Sequence, residues 1–113
     1  MPAADLELLQ GTLDVLVLKA LLFGPRHGYA VARWIRDTTD DSLQIEEGAL
    51  YTSLHRMEKR GWVESTWGAS ENNRKAKFYQ LTGAGRRQLT SRTKLWAQYA
   101  LAVSKVLEAT GEV

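Results

Sequence analysis

Residues 46–62, EEGALYTSLHRMEKRGW, decide the fold. Leu50, Leu54 and Met57 recur at helical spacing and mark one apolar side. Tyr51, Thr52, His55, Arg56 and Lys59 fall largely on the other sides of the same helix. Gly61 stands where a helix stops, behind two cations suited to a helix C-terminus. Glu46 and Glu47 read as capping the helix start rather than as ligands for an anion. A helix that buries one side and offers hydroxyl, imidazole and guanidinium groups on the other has the chemistry of one laid in a DNA major groove.

Working outward, TLDVLVLKALL opens a helix at Thr12, with Asp14 favourably placed in its first turn. Apart from Lys19 it is apolar nearly all round, so it belongs in a core or partly against a partner subunit. Gly24-Pro25 ends it. A second helix follows from about Gly28 to Thr38, with Tyr29, Val31, Ala32 and Ile35 available for packing and Arg33 and Arg36 toward solvent. DTTDDSLQ reads as a loop, and Leu43 and Ile45 as a very short strand or an extended lead-in.

After Gly61 the period changes to alternation. WVESTWG sets Trp62, Glu64 and Thr66 against Val63, Ser65 and Trp67, and KFYQLT sets Phe78 and Gln80 against Tyr79 and Leu81. The turn formers of GASENNRKA join the two as a β-hairpin, a wing with a basic-ended tip. Trp62, Trp67, Phe78, Tyr79, Leu81 and, on the second helix, Trp34 read as packing residues. The last element runs from Thr82 to about Ala109, its first turn loosened by Gly83 and Gly85. Leu89, Trp96, Tyr99, Val103 and Val106 or Leu107 form a stripe that a lone helix would expose, so a partner helix is its expected cover. The expected fold is mainly α with a small β-hairpin: a winged helix-turn-helix over residues 1–82 and a long C-terminal dimerisation helix over 83–113.

Composition narrows the function. With 113 residues, 44% hydrophobic and 25% charged, the chain has the make-up of an ordinary soluble domain. There is no cysteine for disulfides or thiolate sites, and His27 and His55 are too few for a metal cluster. No apolar run approaches the ~20 residues of a membrane span, and MPAADLELLQGT lacks the features of a signal peptide, so a cytoplasmic protein without cofactor or metal is expected. No nucleophile elbow, phosphate loop or metal spacing suggests an enzyme. The net charge of +2 hides an asymmetry: residues 1–54 hold four cations against eight anions, and residues 55–94 ten against three. Such a basic middle suits a polyanion.

Three motifs, GTLDVLVLKALLFGPRHGYAVARWI (11–35), EEGALYTSLHRMEKRGWVES (46–65) and NRKAKFYQLTGAGR (73–86), stand in an order and at separations that resemble the PadR-family transcriptional regulators of the short kind with a single C-terminal helix. The resemblance covers roughly residues 9 to 109 and implies a homodimeric DNA-binding regulator of bacteria or archaea, usually a repressor, released in many members by a small aromatic or amphipathic effector. One departure is Thr52, where the family often has proline.

The resemblance makes the helix of residues 46–62 the recognition helix. Gly48 and Ala49 would let its N-terminus approach a phosphate. Tyr51 matches the family tyrosine and reads either as a phosphate donor or as an interhelix packing residue. Thr52, His55, Arg56 and Lys59 are groove candidates; Arg56 could read guanine bidentately or simply bind a phosphate. In the wing, Asn72, Asn73, Arg74, Lys75 and Lys77 offer a minor-groove contact or a solvated turn. Leu89, Trp96, Tyr99 and Val103 are candidates for a dimer or effector surface. The alternative to a sequence-specific repressor is a winged-helix sensing or protein-interaction module.

Overall fold

The computed structural model describes residues 11–111, so the outer ends of the segments 1–82 and 83–113 lie outside the described residues. Helix α1 spans Thr12–Leu22, strand β1 Arg26–His27, α2 Gly28–Thr38 and α3 Glu47–Lys59; β2 covers Val63–Ala69, β3 Lys75–Leu81, and α4 Gly83–Glu108. This is a winged helix-turn-helix with a long C-terminal helix, as the sequence leads one to expect. No helix among the described residues is long and apolar enough to cross a membrane.

The strongest local signals are honoured. α1 buries Val17, Leu18, Ala20 and Leu21, as its all-round apolar character requires. α3 buries Leu50, Leu54 and Met57. It then closes on Gly61 at φ 77°, with Gly61 N–H donating to the Glu58 carbonyl and Trp62 N–H to that of Met57, the paired bonds of a Schellman ending. Glu46 occupies the N-cap position, but its side chain makes no capping hydrogen bond. Leu43 and Ile45 lie in an extended lead-in, anchored where Leu43 N–H donates to Thr39 Oγ1 at 3.2 Å.

The hairpin is part of a three-stranded sheet, β1-β3-β2, in which Arg26 pairs with Tyr79 and His27 with Phe78. Sequence reading treats these two residues only as the stop after α1, because a two-residue strand has no period to detect. His27 also caps α2, its Nδ1 accepting from Ala30 N–H. In the hairpin, Val63 pairs with Leu81, Ser65 with Tyr79 and Trp67 with Lys77. Val63, Tyr79 and Leu81 turn toward the core, where Leu18, Leu54, Ile35 and Met57 meet.

The first turn of α4 is regular rather than loose. Thr82 Oγ1 accepts from Gly85 N–H and donates to the Gly61 carbonyl at 2.6 Å, joining the helix start to the end of α3. Gly85 is a packing requirement: a Cβ there would lie 2.0 Å from the Trp62 carbonyl oxygen, which backbone cannot yield. Gly85→Ala is therefore expected to lower the unfolding free energy by about 1–3 kcal/mol, read from urea denaturation followed by circular dichroism. An unchanged midpoint would mean that the helix start shifts freely.

Candidate nucleic-acid interface

The outer side of α3 leaves Gly48, Ala49, Thr52, His55 and Lys59 exposed. Gly48 and Ala49 share the helix start with the carboxylates of Glu46 and Glu47. Tyr51, 42% exposed, does two things at once. Its ring packs on the first turn of α2 so closely that a Cβ on Gly28 would come within 2.5 Å of the phenol oxygen. Its exposed edge borders an open groove of about 690 Å³, shared with Thr52, His55, Lys59 and Tyr79. Burial above all, then the Glu47 carboxylate and Tyr79, pushes the Tyr51 phenol above its ordinary value, so it stays a neutral donor at neutral pH.

Arg56 is less free than its place on the helix suggests. Its Nη2 donates to Asp14 Oδ1 at 2.5 Å, and Ser53 Oγ donates to the same oxygen at 2.6 Å. Asp14, read from the sequence as a first-turn acid, is 5% exposed and ties α1 to α3. The sequence held a signal for this: one carboxylate inside an otherwise apolar helix has to find partners. Arg60, read from the sequence only as a cation suited to the helix end, also lines the groove. Its guanidinium lies 5.2 Å from the Trp62 ring centre, and that of Arg92 lies 4.8 Å from the same ring.

The wing divides its cations. Arg74 and Lys75 are exposed near the tip, with Lys75 Nζ 5.1 Å from the ring centre of Trp67. Asn72 and Asn73 are exposed in the turn, where Asn73 takes φ 58°. Trp67 is not a buried packing residue: it is 63% exposed at the side of a second open cleft, which it lines with Tyr29, Tyr51, Arg74 and Lys75. Lys77 is not part of the free tip, since its Nζ lies 3.3 Å from Glu58 Oε1 on α3 and Ser65 Oγ donates to Glu58 Oε2.

On α4, Leu89 is only 7% exposed and packs in the chain's own core, while also lining the groove between α1 and α4. Trp96, Tyr99 and Val103 remain exposed, joined by Leu95 and Leu101. Trp96 also borders an apolar groove of about 850 Å³ between α1 and α4, with Val15, Leu16 and Leu22 on the α1 side.

A model of the transcriptional regulator PadR-like family matches residues 17–91, from the middle of α1 through the wing into α4. The chain belongs to the PadR-like family of transcriptional regulators. A curated protein of Lysinibacillus sphaericus, itself uncharacterised, is 33% identical over 92 residues, 81% of this chain and 84% of that protein. Among solved structures, a PadR-family regulator from Eggerthella lenta is 32% identical with a TM-score of 0.75, covering 89% of this chain and 86% of its own. A transcriptional regulator from Clostridium thermocellum is 28% identical with a TM-score of 0.77, covering 85% and 90%. PadR membership implies DNA binding.

Ser65, Glu58 and Lys77 link α3 to the wing. The Ser65 hydrogen bond first, then Lys77, holds the Glu58 carboxyl below its ordinary value, and Glu58 holds the Lys77 ammonium above its own. The carboxylate's contribution is present above the ordinary glutamate range and lost as pH falls through its lowered value. The ammonium's is present below the ordinary lysine range and lost as pH rises through its raised value. Glu58→Gln should therefore cost less than about 1 kcal/mol at neutral pH, both side chains being partly solvated. Urea midpoints of variant and parent are expected to converge in acid; a gap persisting there would show that the pairing is not what the substitution removed.

Proposed function

We propose that the protein is a dimeric, sequence-specific regulator that represses transcription from an inverted-repeat operator in the cytoplasm of a bacterium or archaeon. The observation that carries this reading is the juxtaposition of two exposed sets of DNA-suited groups: Thr52, His55 and Lys59 on α3, and Arg74 and Lys75 on the wing. α3 has the dimensions and polar edge for a major groove, and a basic wing is drawn to the negative potential of the minor groove beside it. Two-fold symmetry in the protein imposes the same symmetry on the operator, with half-site centres ~34 Å apart.

The dimer is supported by α4. Trp96, Tyr99, Leu101 and Val103 lie exposed along it, and apolar area of that kind marks an interaction surface. A second copy of the same helix satisfies it in a self-complementary contact. The apolar groove between α1 and α4 supports a small aromatic or amphipathic effector. Such a ligand acts only through tighter binding to the DNA-free geometry.

Selection of bound sequences from random duplex DNA at two salt concentrations tests the function directly, and enrichment of an inverted repeat is expected. Binding without enrichment, lost at higher salt, would leave only a polyanion surface and move a protein-interaction role to the front. Arg74→Ala combined with Lys75→Ala is expected to weaken binding and to flatten the plot of log affinity against log salt by up to about 2 per wing; an unchanged slope removes the wing from the interface. Trp96→Asp is expected to give monomers in sedimentation, because the stripe would bury an unpaired charge; a fully dimeric variant places Trp96 outside the contact.

A further inference from the structure

The recognition surface is held from behind by a carboxylate. The Asp14 side chain is 7% exposed, whereas that of its partner Arg56 keeps 41% and borders the groove beside Thr52, His55 and Lys59. Ser53, which donates to the same Asp14 oxygen, is buried at 1%. One guanidinium thus reaches the groove while its Nη2 is tied to an anion in the interior. A guanidinium is a planar fork of five donors, so one fixed bond restrains the plane in which the others point.

We propose that Asp14 is a positioning residue for sequence readout: it orients Arg56 toward a base edge and withholds that charge from indiscriminate phosphate binding. The inference rests on the DNA-reading function proposed above. An unpaired arginine follows phosphates on any sequence and releases counterions wherever it binds. An arginine already neutralised by Asp14 adds little to that non-specific attraction, yet keeps donors for a guanine. The carboxylate therefore raises discrimination by lowering the background.

The test uses the full chain, the repeat it selects from a random duplex pool, and a scrambled duplex of the same length and composition. Asp14→Asn preserves size and frees one positive charge. It is expected to bind the scrambled duplex more tightly, with a salt slope steeper by about one unit per subunit. Binding to the selected repeat should not keep pace, so the ratio of the two affinities falls about tenfold. The double variant Asp14→Asn with Arg56→Gln leaves no buried unpaired charge, which protects its fold. It is expected to match the parent's salt slope while lacking the parent's discrimination. A carboxylate that merely fastens α1 to α3 would weaken both duplexes together; parallel losses, or an unchanged ratio in both variants, overturn the inference. Failure of the parent to select any repeat overturns the DNA-reading function and the inference with it, whereas a selecting parent with unaltered variants overturns the inference alone.

Discussion

α1 must be covered over most of its surface, and the rest of the described chain is arranged to do so. Val17, Leu18, Ala20 and Leu21 are removed from water almost completely, each larger side chain contributing on the order of 1.5–3 kcal/mol by its burial. α2, α3, α4 and β3 all lie against this helix. The outer side of α3 is therefore defined by what its inner side has to cover: Leu50, Leu54 and Met57 turn inward, and the groups suited to DNA are what remains. A buried carboxylate enters the same contact, Asp14, and its partners Ser53 and Arg56 sit on the helix that presents the candidate site.

Periodicity carried most of the fold. The apolar sides of α1 and α3, the stop at Gly61 and the alternation of β2 and β3 are local patterns that packing had no reason to override. The two residues of β1 escaped, because a strand that short exists only through its partner, β3. Trp67 and Leu89 exchanged their expected places for one reason: sequence tells which residues are apolar, but not how far the neighbouring element extends. Leu89 falls where α4 lies on α1 and is 7% exposed, whereas Trp67 borders an open cleft beside Tyr29 and Tyr51 and is 63% exposed. At the candidate site, residue types were legible and pairings were not, since Asp14 and Arg56 meet across 42 positions of chain.

The pairings change the electrostatic picture. Counting cations between residues 55 and 94 suggests a uniformly basic surface. In the folded chain Arg56 is tied to Asp14 and Lys77 to Glu58, while Lys75 lies over Trp67 and Arg60 over Trp62. The positive charge is thus anchored at chosen points, and the direction of each donor matters as much as the total. Tyr51 fits the same pattern, with its ring lodged against Gly28 and its phenol kept protonated.

α4 is one uninterrupted helix of 26 residues, ~39 Å long at the usual rise, yet its buried residues, Gly85 and Leu89, lie within its first two turns. A helix segment without packing is only marginally stable in water. The backbone hydrogen bonds of this single rod consequently differ along its length in the free energy needed to open them. The proximal turns open only when the winged body opens, through Gly85 under the Trp62 carbonyl and Leu89 in the core. Beyond Tyr99 their lifetime is set by whatever rests on Leu101, Val103 and Val106, so the far end of the helix reports on its surroundings and the near end on the fold.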